Sequence, residues 1–295
     1  MSSGVAITTD AVARLCASDP ALSGGAFPPG SVLLAGAGPG GLEHLTLAVV
    51  SALGAADAIV YDALVNPLVL RAAPHAELHF VGKRAGQPSA RQQDINALLV
   101  ALARAGKRVL RLKGGDPNVF GRGGEEAQTL LAEGVPFRFL PGLTSGLAGL
   151  ANFGIPATLR GVSRAIILAT GHAADDGADG PDWAALAKVG EPIIIYMGLG
   201  NLGRISDQLM AGGLAPDTPL AVIEGATTKH ERLLETTLCG AMAAVAAAQM
   251  RSPALVVVGD IIAHRFPTLP AYTCYDAPGC DDGEREGKGP EATHD

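Results

Sequence analysis

The feature that most constrains the fold is a regular alternation of short apolar runs and amphipathic stretches between residues 32 and 259. Apolar runs of this length are typical of buried strands, and the stretches between them have the apolar spacing of helices. Such an alternation predicts predominantly parallel sheets with helices on both faces. The strands are numerous enough for two sheets, so we predict an α/β fold. The predicted strands include 32–36, 58–61, 108–112, 137–140, 165–170, 193–197, 220–223, 232–238 and 255–259.

The chain divides into four predicted segments. Residues 1–30 are small and polar and are predicted to form a flexible extension. Residues 31–142 and 143–265 are predicted to be the N-terminal and C-terminal α/β domains. Residues 266–295 are rich in glycine, proline and acid, so we expect a disordered tail. Seven acidic and two basic residues lie in this tail, which therefore carries five of the chain's seven net negative charges.

Composition excludes several classes of protein. A net charge of −7 argues against a nucleic-acid-binding protein. The longest uncharged apolar stretch, residues 139–159, is interrupted by Pro141 and Pro156, which makes it a poor membrane helix. The first thirty residues lack the continuous apolar core of a signal peptide. No two cysteines form a CxxC pair, which favours a reducing compartment, and we expect a cytoplasmic protein. The cysteines are Cys16, Cys239, Cys274 and Cys280.

The first glycine loop, Gly36 to Gly41, has the spacing G-x-G-x-x-G after a predicted strand. With Asp57 near the place of a ribose-binding acid, this spacing suggests a dinucleotide-binding dehydrogenase. Pro39, however, lacks the backbone N–H that a phosphate cradle uses. A tight turn between strand and helix explains the glycines nearly as well, so the NAD-linked dehydrogenase is kept only as an alternative.

The second glycine loop follows the strand at 108–112 and extends to Glu126. It lies at the carboxyl end of a strand, where open α/β sheets bind their ligands. Asp116 would repel a phosphate but suits a ligand with an ammonium or sulfonium charge. Three cations in the same segment suit carboxylates. These cations are Arg111, Lys113 and Arg122. The alternative is a surface turn in which Arg122 pairs with Glu125 or Glu126.

Taken together, these segments resemble the uroporphyrinogen-III C-methyltransferases of the tetrapyrrole methylase superfamily. The resemblance covers residues 31 to about 264. The Gly82–Gly86 segment and the block from Arg111 to Glu126 are specific to this branch. The matching segments are Gly36–Gly40, Tyr61-Asp62, Leu64-Val65, Val81–Gly86, Gln93 with Ile95-Asn96, Arg111–Glu126, Pro141–Ser145, Gly154–Pro156, Tyr196–Gly198 and Ser252–Leu255.

The resemblance implies an enzyme that binds S-adenosylmethionine in a cleft between two α/β domains and forms a homodimer. It implies two methyl transfers, at C2 and C7 of uroporphyrinogen III, which give precorrin-2 for sirohaem or cobalamin synthesis. Arg122 and Glu125 match tetrapyrrole contacts that orient the substrate, and Met197 matches a residue between both ligands. The implied cofactor contacts are Pro39, Gly114, Gly115, Asp116, Val119, Thr144, Ser145, Met197 and Ala226. Lys83 and Arg84 would add cations for the substrate's eight carboxylates.

No metal is expected, since His44, His172 and His230 lack the spacing of ligands. No general base can be named from the sequence. Arg122 is not expected to act as the base, because the pKa of a guanidinium is far too high.

Three departures from the family pattern leave alternatives open. Gly41 stands where the family usually has an acid, Ala63 where a basic residue is common, and Leu159 interrupts the usual Thr-His-Arg segment. Glu43 or His44 is a hypothetical replacement for the missing acid. The alternatives are a methyltransferase for a later precorrin and a catalytically weakened paralogue that binds tetrapyrrole or S-adenosylmethionine.

Overall fold

The computed structural model describes residues 27–82, 91–172 and 180–267, and these contain ten strands and seven α-helices. The strands are β1 Val32–Gly36, β2 Ala58–Tyr61, β3 Glu77–Phe80, β4 Val109–Lys113, β5 Phe137–Leu140, β6 Ile167–Thr170, β7 Ile193–Tyr196, β8 Pro219–Glu224, β9 Arg232–Thr237 and β10 Ala254–Val258. The helices are α1 Leu47–Ala55, α2 Gln92–Arg104, α3 Gly123–Ala132, α4 Ser145–Asn152, α5 Trp183–Ala187, α6 Leu202–Ala211 and α7 Ala241–Ala247.

The first sheet contains β1 to β5 in the order β3-β2-β4-β1-β5, and every pair is parallel. Strand β1 lies between β4 and β5, and its last residue, Gly36, pairs with Lys113 at the end of β4. Since parallel strands end at the same edge of a sheet, the loops after β1, β4 and β5 emerge side by side. This edge is the place where open α/β sheets bind ligands.

Both faces of the first sheet are covered. Alternate residues of β1 pack on opposite sides, Leu33 and Ala35 toward α1 and Val32 and Leu34 toward α2 and α3. This arrangement explains why β1 is apolar throughout, since a strand buried on both faces has no solvent side. The predicted three-layer arrangement of the first half is therefore present.

The second sheet has the order β6-β7-β10-β8-β9 and differs from the sequence expectation in strand direction. Only β6 and β7 are parallel, and the other three pairs are antiparallel. The predicted α/β class is confirmed, but the expectation of parallel pairing does not hold throughout this sheet. Strands β8 and β9 follow each other without an intervening helix, so they pair as a hairpin, which is necessarily antiparallel.

Several sequence expectations concern residues that the structure does not describe. Most of the predicted extension, residues 1–26, and of the predicted tail, residues 268–295, lie outside the described residues, and the domain boundaries stay predictions. The spacing of Ser89 and Gln92 in the sequence predicts a capping box at the start of α2, and Ser89 also lies outside the described residues. The helix begins at Gln92, and its N-cap is Arg91, whose side chain makes no capping hydrogen bond.

Within residues 27–82, 91–172 and 180–267, no helix is long and apolar enough to cross a bilayer.

Candidate active site

Three glycines from three loops meet at the carboxyl edge of the first sheet. A Cβ atom on Gly36 would lie 2.4 Å from the carbonyl oxygen of Gly115, and a Cβ on Gly142 would lie 2.3 Å from the same atom. Gly38 and Gly115 form an isolated bridge with N–H···O distances of 3.2 and 2.7 Å in the two directions. The loops after β1, β4 and β5 are therefore packed backbone to backbone, which only glycine allows.

The first glycine loop does not have the geometry of a dinucleotide site. It runs into a 3₁₀ turn, Leu42–His44, and α1 begins only after Thr46, which caps it by accepting from the Val49 N–H at 3.4 Å. A phosphate cradle needs the helix to start directly at the loop. Asp57 lies at the opposite end of β2, where it accepts from the backbone and the guanidinium of Arg108. The observed geometry therefore disfavours the dehydrogenase alternative.

Asp116 is fixed by backbone groups at this edge. Its Oδ2 accepts from the Gly142 N–H at 3.0 Å, and its Oδ1 accepts from the Asn118 N–H at 2.8 Å. The carboxylate therefore links the loop after β4 to the loop after β5. A negative charge held in this way is available to a cationic ligand without rearrangement of the loop.

Asp62 is a site residue that the sequence analysis did not assign. It directly follows β2, is about one quarter exposed, and its Oδ1 accepts from the Gly114 N–H at 3.4 Å. Gly114 is closely covered on its other side, because a Cβ there would lie 2.5 Å from the Cβ of Leu64. The available signal was position, since an acid directly after a buried strand belongs to the same edge as Gly114.

Arg122 and Glu125 are brought together as a bidentate ion pair. The Arg122 Nε and Nη2 donate to the two carboxylate oxygens of Glu125 at 2.8 and 2.7 Å, and both side chains are about half exposed. The hydrogen bonds from Arg122 hold the pKa of Glu125 below its usual range. Arg122 has a left-handed backbone with φ 60° and serves as the N-cap of α3. The ion pair weighed in the sequence analysis is therefore present with Glu125.

The expectation that Arg111 and Lys113 face the substrate is wrong. Both side chains are almost fully buried, with 3 and 5% exposed, and each donates to Glu126 Oε1 at 2.9 Å. They share one face of β4, because alternate residues of a strand point the same way, and this face is covered by α2 and α3. Lys83 and Arg84 lie outside the described residues.

The second sheet contributes Tyr196 and its neighbours. The Tyr196 hydroxyl and the Thr144 hydroxyl lie 2.7 Å apart, and the Gly146 N–H donates to the Tyr196 oxygen at 3.1 Å. Burial raises the pKa of Tyr196. Ser145 is the first residue of α4, and Met197, with φ 54°, presents a half-exposed side chain directly after β7. The chain therefore turns sharply at this end of β7.

Two loop residues bridge the space between the sheets. The ring of Phe120 lies 4.9 Å from the ring of Tyr196, centroid to centroid. Val119 packs against the apolar core of the second sheet, as does Ala226 after β8. Gly40, next to Pro39, approaches Thr227 so closely that a Cβ would lie 2.7 Å from the Thr227 carbonyl oxygen. These contacts bring Val119, Ala226 and the loop that contains Pro39 into the region between the sheets.

The described part of the chain has no group of three or more His, Cys, Asp or Glu side chains that could hold a metal ion. His44 lies against Gly38, since the Cβ of His44 would be 2.8 Å from a Cβ on that glycine. Cys239 is an exposed free cysteine.

Comparison with known proteins shows the family. The family model described as "Tetrapyrrole (Corrin/Porphyrin) Methylases" matches residues 31–241. The chain belongs to the tetrapyrrole methylase family. A curated relative from Sinorhizobium sp, named uroporphyrinogen-III C-methyltransferase, is 52% identical over 241 residues, which cover 80% of this chain and 85% of the relative.

Two further tetrapyrrole methylase relatives define the extent of the likeness. The siroheme synthase of Gluconacetobacter diazotrophicus is 44% identical over 84% of this chain, but the match spans only 53% of that protein. The crystal structure of uroporphyrin-III C-methyl transferase from Thermus thermophilus, complexed with S-adenyl homocysteine, is 38% identical with a TM-score of 0.68. It covers 79% of this chain and 99% of that structure. The two-sheet arrangement is therefore shared with a solved tetrapyrrole methylase.

Proposed function

We propose that this chain transfers methyl groups from S-adenosylmethionine to C2 and C7 of uroporphyrinogen III and so forms precorrin-2 for sirohaem or cobalamin synthesis. The observation that carries this proposal is the junction of the Gly36, Gly115 and Gly142 loops, where backbone N–H groups fix Asp116, together with the Arg122–Glu125 ion pair that follows in the chain. The identity to the Sinorhizobium methyltransferase supports the same substrate.

The residues at the junction fit S-adenosylmethionine. The ligand carries an ammonium, a carboxylate, a sulfonium and an adenosine, whose adenine ring has apolar faces. Asp116 offers an anion to its cationic groups, and the close-packed glycines expose backbone polar groups. Val119, Ala226 and the half-exposed Met197 offer apolar surface. We therefore retain the full set of proposed contacts, which is Pro39, Gly114, Gly115, Asp116, Val119, Thr144, Ser145, Met197 and Ala226.

The tetrapyrrole is proposed to lie against Arg122 and Glu125, with Met197 between the two ligands. Arg122 presents the planar fork that suits a carboxylate, and Phe120 and Met197 are exposed apolar side chains. Arg111 and Lys113 are excluded from this role by their burial. Arg122 and Glu125 therefore orient the substrate in this proposal.

The chemistry required of the protein is alignment. The sulfonium supplies an activated methyl group, so the side chains align donor and carbon and exclude water. Transfer of the methyl cation leaves the macrocycle positively charged until it loses a proton from another ring position, and a group at the cleft must accept that proton. Asp62 is a partly exposed carboxylate next to Gly114, and we assign the proton-accepting role to it on that geometry. No step in this scheme uses a metal.

The test is anaerobic incubation of the purified protein with S-adenosylmethionine and enzymatically made uroporphyrinogen III, followed by mass spectrometry of the oxidised product. We expect a gain of two methyl groups, abolished in Asp62→Asn and unaffected by dialysis against a chelator. Methylation only of a later precorrin would replace the proposal with that alternative enzyme. Binding of S-adenosylhomocysteine without methylation of either substrate would favour the weakened paralogue, which the absence of an acid at Gly41 motivates.

Assembly and location are further parts of the proposal. Most oligomers of one chain are symmetric dimers, and the family resemblance implies a homodimer, with no nucleic-acid or membrane partner and a cytoplasmic location. Light scattering behind size exclusion gives the mass in solution. A monomer mass at the working concentration would contradict the dimer.

A further inference from the structure

Glu126 is a fully buried carboxylate in the first turn of α3. Its Oε1 accepts from the Nε of Arg111 and the Nζ of Lys113, both at 2.9 Å, and from the Nε2 of Gln92 at 3.4 Å. Its Oε2 has no hydrogen-bond partner among the described residues. One anion therefore holds two cations from β4 and one amide from α2 within the interior.

Folding alone does not account for such a cluster. Removing charges from water costs several kcal/mol per ion, and apolar residues of similar volume often give an equal or greater free energy of unfolding. Breaking one partner out of the cluster is costly, since it leaves an uncompensated charge. The cluster is explained better by a role in which it fixes the position of the neighbouring backbone than by a contribution to stability alone.

The cluster is connected to the cleft by two routes. Lys113 is the last residue of β4 and directly precedes Gly114. The Nη2 of Arg111 lies 3.7 Å from Asp62 Oδ2, and the Oδ1 of Asp62 accepts from the Gly114 N–H. Glu126 is therefore connected to Gly114 both through the end of β4 and through Arg111 and Asp62.

We propose that Glu126 is a positioning residue that fixes the segment Gly114–Asp116 in the conformation that binds S-adenosylmethionine. This inference rests on the proposed function, because it takes this segment as part of the cofactor site. Glu125 and Glu126, which are consecutive residues of α3, then have different roles. The exposed Glu125 holds Arg122 toward the substrate, and the buried Glu126 holds β4 and its loop.

The charge of Glu126 also affects the pKa of Lys113, which gives a second way to test the inference. Burial and the charge of Arg111 lower the pKa of Lys113, and the carboxylate of Glu126 opposes this shift. The other charged groups that face Lys113 are Asp62, which also favours its protonated form, and Glu125 further out on α3. Without the charge of Glu126, Lys113 loses its proton at a lower pH.

The experiment measures the Kd of S-adenosylhomocysteine by calorimetry at several pH values between 7 and 9.5, together with the thermal unfolding midpoint. Glu126→Gln keeps the size of the side chain and removes its charge. We expect its Kd to rise about tenfold or more at pH 7 and to depend on pH differently from that of the wild type, because loss of the carboxylate lowers the pKa of Lys113 further. Glu133→Gln is the matched control, since Glu133 is exposed just after α3 and pairs with Arg104. It should bind as the wild type does.

The outcomes are distinguishable. A lower unfolding midpoint with an unchanged Kd would overturn the inference, because it would show a role in folding alone. If Glu126→Gln does not fold, Lys113→Met decides. That variant leaves a charge-balanced Arg111–Glu126 pair, and we expect it to fold and to bind several times more weakly, whereas unchanged binding overturns the inference. Failure of the wild type to bind S-adenosylhomocysteine would count against the proposed function instead.

Discussion

At the scale of single residues, the space beside Gly41 is filled by Glu43. A Cβ on Gly41 would lie 2.0 to 2.3 Å from the carboxylate atoms of Glu43. The carboxylate that the family usually carries at position 41 thus has a counterpart two residues later in this chain. The sequence could raise Glu43 and His44 only as equal candidates, because the direction of a side chain in a short loop is set by the turn that follows. The Cβ and the backbone of His44 instead lie against Gly38, and its Nδ1 is 3.7 Å from Glu43 Oε1.

Glu43→Ala is expected to lower kcat/KM for uroporphyrinogen III about tenfold, because it removes the carboxylate that lies beside Gly41. Gly41→Asp alone is expected to give no gain, since the new carboxylate would meet that of Glu43. The double variant Gly41→Asp with Glu43→Ala should recover the activity. Steady-state kinetics on the three variants, with Glu133→Ala as the matched control, test this expectation. A large gain in turnover from Gly41→Asp alone would contradict it and support the weakened enzyme.

At the scale of elements, β4 itself could be predicted from the sequence, but the buried partner of its two cations could not. Its apolar residues Leu110 and Leu112 predicted a strand, and the structure confirms a strand over residues 109–113. The same alternation places Arg111 and Lys113 together on the other face. A central strand covered on both faces needs a buried anion for two such cations, but no local pattern identifies it. Glu126 follows 13 residues after Lys113, and only the packing of α3 on the sheet brings them together.

Lys113 also yields a prediction about stability and pH. Its folded-state pKa is lowered by burial, so between that pKa and the unfolded value near 10.5 the unfolded chain binds more protons. The free energy of unfolding therefore gains a favourable contribution as pH rises through this window. Relative to the wild type, Lys113→Met should be most stable at pH 7 and lose that advantage toward pH 10. Chemical denaturation at several pH values measures the difference. A difference that is constant with pH would show that the pKa of Lys113 is unshifted.

At the scale of the whole molecule, the sequence predicted two sheets of strands that alternate with helices, but not the strand order and strand directions of the second sheet. An apolar run specifies burial and leaves strand direction open, so Ala254–Val258 reads the same in either direction. In the structure β10 is inserted between β7 and β8 and is antiparallel to both. The absence of a helix between β8 and β9 was the available signal for antiparallel pairing. The cleft between the sheets depends on contacts that no single segment encodes.

Gly40 and Thr227 make one such contact, and Thr227 is held in place by its surroundings. Thr227 is fully buried, has φ 65°, and donates its N–H to Glu231 at 2.8 Å, while Glu231 also accepts from Asn152 of α4. A Cβ on Gly40 would lie 2.7 Å from both the carbonyl oxygen and the hydroxyl oxygen of Thr227. A side chain at position 40 must therefore move the first glycine loop away from the second sheet.

Gly40→Ala is expected to weaken S-adenosylhomocysteine binding about tenfold or more and to lower the free energy of unfolding by about 1–3 kcal/mol, as overpacking does. Gly54→Ala is the matched control. Gly54 is an exposed position of α1 with no atom within 4 Å of a Cβ, and alanine there should stabilise the helix by about 0.5–1 kcal/mol and leave binding unchanged. Calorimetry and denaturation measure both variants. If Gly40→Ala loses stability but binds as tightly as the wild type, the two sheets can shift against each other without altering the site, and the close approach of Gly40 to Thr227 serves packing alone.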